Sequence, residues 1–138
     1  MQEYRFTLKY DDYEASLALG GKWTLYELAE FLIKTLGFQF DHAFEFCDNL
    51  DGPYDSTERY TLFADMDDPD HRDPGVKHTL VSDVFRPKRA MIFYFDYGDD
   101  WHFLVTCTGV AESPDKRRFK KVLKVSGKPP EQYPEYEE

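Results

Sequence analysis

The stretch FYFDYGDDWHF, Phe93 to Phe103, sets three aspartates and a histidine among aromatic residues. Asp96, Asp99 and Asp100 offer hard oxygen donors, and an imidazole comes from His102 or, from further upstream, His42. Brought to one face within about 5 Å, such groups hold a divalent metal that activates water against a phosphoester. On that reading His42, Asp96, Asp99, Asp100 and His102 are ligands or bases, with Trp101 as the aromatic anchor of the turn. The competing reading is a structural bend, in which the carboxylates face water or cap backbone amides. A Gly-Asp-Asp turn also presents the metal-binding aspartates of RNA-dependent polymerases. A palm, fingers and template channel do not fit into 138 residues, so that reading is excluded. The sequence offers no glycine-rich phosphate loop and no Ser, Cys or Lys nucleophile beside a base.

A second acidic group, Asp65, Asp67, Asp68, Asp70, His71 and Asp73, has oxygen enough for calcium. Pro69 and Pro74 interrupt it and the central glycine of a calcium loop is missing, so a mobile acidic loop is expected.

The elements that position these residues follow from hydrophobic periodicity. Tyr4, Phe6, Leu8 and Tyr10 alternate with polar residues, and after Asp11-Asp12 the alternation returns as Tyr13, Ala15, Leu17 and Leu19. This is an antiparallel hairpin. Thr24 and Glu27 form a capping box, preceded by Trp23, which can staple onto Leu28. Leu25, Leu28, Ala29, Leu32, Ile33 and Leu36 share the apolar face of the helix that follows, and Gly37 stands where a left-handed cap belongs. His42, Phe44 and Phe46 read as a third strand, residues 48 to 77 mostly as loop, and Thr79 as the cap of a short helix that Pro87 stops.

Two further strands, Met91 to Tyr97 and Trp101 to Val110, flank the acidic turn. A three-residue loop, Gly98-Asp99-Asp100, sets Tyr97 against Trp101, Phe95 against Phe103 and Phe93 against Val105, which keeps apolar pairs on one face. It also sets Asp96 across from His102. The fold expected is one α+β domain over residues 1–125, in the order ββαβ, loop, short α, βββ, with a mainly antiparallel sheet and one main helix packed on one face. Residues 126–138 are expected to be a proline-containing acidic tail that contributes little to stability.

At 41% hydrophobic residues, the chain has the apolar surface to fold without disulfides or a structural metal. Cys47 and Cys107 match no thiolate metal site or redox pair and are expected to be buried free thiols. No apolar run reaches membrane-spanning length and the N-terminus lacks a signal-peptide pattern, so a cytoplasmic protein is expected, with no membrane partner. A net charge of −10 opposes nonspecific nucleic-acid binding. The basic strip Lys116, Arg117, Arg118, Lys120, Lys121, Lys124 and Lys128 allows weak phosphate contact, or pairing with the protein's own acidic surface.

The segments WTLYELAEFLIKTLGF, DHAFEF, TLVSDVF, FYFDYGDDWHF and GKPPEQY together resemble the plasmid ORF-3-like family, also known as TnpR-like passenger proteins of insertion elements. Its pattern runs "tL.eLh..i...fGW...HlheF", "Y.YDFGDdW.H" and "CPPED.GG". His42, Asp96, Gly98, Asp99, Asp100 and Trp101 fall on it. The histidine expected two places after the tryptophan is Phe103 here, and His102 comes one place early, which sends its ring to the other side of the sheet. Lys128 replaces the cysteine of the closing motif, excluding a thiol role there, and Gln132 replaces an aspartate. The resemblance implies a compact α+β domain and brings no cofactor or substrate. Together these readings lead to an expected noncatalytic binding or interaction module of mobile-element or accessory genes, with a protein or peptide partner and no cofactor. The alternative is a divalent-metal-dependent phosphoester hydrolase using Asp96, Asp99 and Asp100 with His42 or His102.

Overall fold

The computed structural model describes residues 2–52, 56–62, 75–113 and 119–133. Among the described residues, seven strands and two helices follow one another as β1 (Gln2–Tyr10), β2 (Tyr13–Gly20), α1 (Leu25–Leu36), β3 (Phe44–Cys47), β4 (Arg59–Thr61), α2 (Val81–Val84), β5 (Ala90–Phe95), β6 (Trp101–Glu112) and β7 (Lys120–Ser126). They form one seven-stranded sheet in the order β4-β3-β5-β6-β1-β2-β7, and each strand pairing is antiparallel. The arrangement is α+β, with the sheet dominant.

The hairpin of β1 and β2 turns at Asp11-Asp12 and pairs Tyr4 with Leu19, Phe6 with Leu17, and Leu8 with Ala15. Their side chains line the face that α1 covers. Thr24 caps α1: its hydroxyl oxygen accepts the Glu27 N–H at 3.2 Å, while a Glu27 carboxylate oxygen accepts the Thr24 N–H at 3.2 Å. Gly37 ends the helix at φ 76, a left-handed conformation that costs glycine little, and its N–H bonds back into the last turn. Leu25, Leu28, Ala29, Phe31, Leu32, Ile33 and Leu36 of α1 are buried. Opposite them lie Phe44, Phe46, Phe93, Phe95 and Phe103, rings that meet edge-on, stacked or tilted. A smaller cluster, Cys47, Ile92 and Tyr94 with Tyr97 and Leu104 packed on it, lies on the sheet's other face.

Two elements differ from the sequence expectation. β4 lies within the stretch read as loop. Asp48 explains it, since one of its oxygens accepts the Thr57 and Glu58 N–H groups at 3.0 and 3.1 Å and the other the Thr57 hydroxyl at 2.7 Å. Those bonds fold the chain back so that Arg59 to Thr61 pair with β3. The cap of α2 is Leu80, whose N–H bonds to Asp83, whereas Thr79 gives its hydroxyl to the Gly75 carbonyl. Gly21 lets this short helix close on the hairpin: a Cβ there would stand 2.4 Å from the Tyr4 ring.

Both cysteines are buried free thiols. Among the described residues, no helix is long and apolar enough to cross a membrane. The acidic run from Asp65 to Asp73 and the basic residues Lys116, Arg117 and Arg118 lie outside the described residues. β7 continues to Ser126, and beyond it Gln132 is buried.

Candidate functional site

The turn between β5 and β6 is built around Asp96, a buried residue at φ 60. Its Oδ1 accepts the N–H groups of Gly98 and Asp99 at 3.2 and 3.3 Å, and its carbonyl accepts the Asp100 N–H at 2.6 Å. Asp100 also has positive φ, 61. The side chain substitutes for a backbone acceptor, as aspartate does in turns, and so the loop takes in all of Asp96 to Asp100. The three-residue loop expected from the sequence is therefore corrected. Phe95 pairs with Trp101, Phe93 with Phe103 and Met91 with Val105, while Tyr94, not Asp96, faces His102. A slip of two places preserves which side chains share a face, and so the apolar alternation could not distinguish the two registers.

The ladder between β3 and β5 brings His42 to this turn. Phe44 pairs with Phe95, and the Asp96 N–H donates to the Ala43 carbonyl at 3.0 Å. His42 Nε2 then lies 3.3 Å from Asp96 Oδ2, 3.5 Å from Asp41 Oδ1 and 2.8 Å from the Tyr133 hydroxyl. Tyr133 donates its one hydroxyl proton to Asp41 Oδ2 at 2.9 Å and presents a lone pair to the imidazole. Partial loss of water, and then the hydrogen bond and charge of Asp41, push that hydroxyl up to about 12, so it remains a donor at neutral pH. Carboxylates only accept. All three neighbours of Nε2 thus present acceptors to it, and the ring sits where an N–H is best received.

Gln132 completes the corner. Its side-chain oxygen accepts the Gln39 N–H at 2.6 Å, and its Nε2 donates to the Gln39 carbonyl at 3.1 Å and to Asp41 Oδ1 at 3.2 Å. One amide thus pairs with both backbone groups of a single residue, as a neighbouring strand would.

Asp100, Trp101 and His102 part from this corner, whereas Asp99 lies near enough for its charge to help raise the pKa of the Tyr133 hydroxyl. His102 pairs with Asp100 at 3.0 Å and lies against the Tyr94 ring, 4.7 Å between centroids, on the sheet face away from α1. Asp99 is exposed. Trp101 stacks on Phe103 and meets Tyr10 and Phe38, closing the end of the main core. Tyr97 packs on Tyr94, on the opposite face from Trp101, and burial and the Glu45 charge raise its pKa. Among the described residues, no three His, Cys, Asp or Glu side chains converge as a metal site needs. Asp41, Gln132 and Tyr133 were missed by sequence reasoning. Asp41 adjoins His42 in the chain, whereas Gln132 and Tyr133 come from the far end of the sequence, where only the stiff Pro129-Pro130 pair marks the approach.

The described part of the basic strip is β7 with its flanks. Lys120 lies over the Trp23 ring at 4.1 Å and Lys121 over Phe119 at 5.1 Å.

No curated protein matches the chain. Among solved structures, a protein of unknown function from Methanosarcina mazei Go1, MM3350, is similar at TM-score 0.66 and 16% identity, over 87% of this chain and 68% of that one. At that identity the likeness concerns the fold. The profile of plasmid pRiA4b ORF-3-like proteins matches residues 7–136, nearly the whole length, and the chain belongs to that family.

Proposed function

We propose that this protein is a noncatalytic binding module, cytoplasmic and carried as an accessory function of mobile elements, that takes an extended protein segment along one edge of its sheet. β7 carries the reading. It is a terminal strand of seven residues with Val122, Leu123 and Val125 about half exposed, at 47%, 49% and 50%. An edge strand presents unpaired N–H and C=O groups, and an added strand satisfies them while flanking side chains give selectivity. The other edge, β4, has three residues and already bridges to Gly75 through Thr61.

The aspartate–histidine corner supports the same reading. Asp96 is committed to its turn, and His42 Nε2 is surrounded by acceptors within the chain. Such a corner fastens the segment at Gln132 and Tyr133 to the turns before β3 and after β5.

Hydrogen exchange on the full chain tests the proposal. A panel of extended peptides with alternating apolar residues is expected to slow exchange of the β7 amides selectively. Exchange unchanged at β7 for every peptide would contradict it.

A further inference from the structure

We infer that the segment received by β7 is acidic, alternating carboxylate and apolar side chains over about seven residues. This rests on the edge-binding reading and specifies the partner. Pairing with β2 fixes which way the side chains of β7 point. Val122 pairs with Leu17 and Val125 with Ala15, whose side chains lie in the core under α1. Lys121 and Lys124 pair with Ala18 and Ser16, on the opposite face. A register shift leaves Leu123 without a partner on β2. The edge therefore has two different sides. One is a groove between β7 and α1 in which Val122 and Val125 lie beside Phe31 and Thr35, flanked by the charged Glu30, Lys34 and Lys120. The other is a pair of exposed ammonium groups.

A strand added beside β7 sends alternate side chains to these two sides. Its apolar residues enter the groove and its intervening residues meet Lys121 and Lys124. Carboxylates are the complement of those lysines. β7 holds Lys120, Lys121 and Lys124 and no acid, whereas the whole chain has net charge −10. An acidic segment is repelled by most of the surface and drawn to this strip, so the same charges provide steering and place.

Charge also decides against two other occupants. A second copy pairing β7 with β7 would set lysines beside lysines, and like charges across a ladder destabilise it. Lysines and a bulge on an edge strand guard against such self-pairing and leave an oppositely charged strand acceptable. A nucleic acid has no strand backbone to extend the ladder, and the charge of the chain repels it.

Three fluorescent peptides probe the inference on the full chain at low salt: alternating Glu and Val, alternating Thr and Val, and alternating Lys and Val. The Glu peptide should bind at least about tenfold tighter than the Lys peptide, with the Thr peptide between. The doubly substituted variant K121E/K124E, at two exposed positions, should reverse that order while keeping the wild-type melting temperature. N-methylation of alternate amides should abolish binding of the Glu peptide. If the three peptides bind β7 equally and the double variant changes nothing, the acidic partner is refuted while edge binding survives. If no peptide binds or protects β7, both fail. A concentration-dependent dimer that Leu123→Asp disrupts would make a second copy the occupant and overturn the inference.

Discussion

The imidazole of His42 joins two turns: its Nε2 lies 3.3 Å from Asp96 Oδ2, while Asp96 Oδ1 holds the amides of Gly98 and Asp99. One carboxylate thus shapes the loop between β5 and β6 and fastens it to the residue before β3. Asp96→Ala leaves two amides and an imidazole N–H without that acceptor, and is expected to cost about 2–3 kcal/mol. Asp96→Asn keeps the turn acceptor and should cost about half as much. A denaturation cycle with His42→Ala should show a coupling of about 0.5–1 kcal/mol, since the imidazole is partly exposed.

Asp99→Asn and Asp100→Asn should each cost under about 1 kcal/mol. Asp99 is exposed, and Asp100 pairs with His102 at a surface where such pairs contribute little. Chemical denaturation in chelator checks both.

Trp101→Ala should cost about 3–5 kcal/mol, because the indole stacks on Phe103 and packs on Tyr10 and Phe38. Its Nε1 is buried with no hydrogen-bond partner among the described residues. Trp101→Phe removes that orphaned donor along with part of the packing, so its cost should stay under about 2 kcal/mol. Equal losses in the two variants would contradict this account of the indole.

Gln132→Ala removes three hydrogen bonds and should lower stability by about 1–3 kcal/mol, seen as a lower melting temperature. Tyr133→Phe, at a half-exposed position, should cost less.

Burial pushes the Cys47 thiol up to about 11 from an ordinary value of 9.0. The native state favours the neutral thiol, so its contribution to stability is complete below about 9 and fades as pH rises through about 11. Cys47 and Cys107 should resist a thiol reagent at pH 8 in the native protein and react in denaturant. Cys47→Ala should flatten stability between pH 9 and 11 relative to the wild type.

Most of the fold was legible because its signals are local. Alternation around Asp11-Asp12 gave the first hairpin, and Thr24, Glu27 and Gly37 marked both ends of α1. The register at Asp96 was not legible, because a slip of two leaves every side chain on its own face and only the turn's hydrogen bonds choose between the alternatives. β4 was hidden because its position depends on Asp48 reaching Thr57 and Glu58. Of the candidate site, His42 and Asp96 do meet, whereas Asp100 and His102 pair elsewhere. Asp41 adjoins His42 in the chain, but Gln132 and Tyr133 reach this corner from far along the sequence, a contact that no periodicity encodes.

On the proposed reading, the aspartate–histidine corner fastens the fold and holds no metal. Its most direct test is the melting temperature of the wild type, Asp96→Asn and Asp99→Ala in chelator and in excess magnesium, manganese or zinc. The wild type should show no metal-dependent rise, and Asp96→Asn should melt at a lower temperature under every condition. A rise of several degrees in the wild type, lost in Asp99→Ala, would contradict it and favour a metal-dependent phosphoester hydrolase.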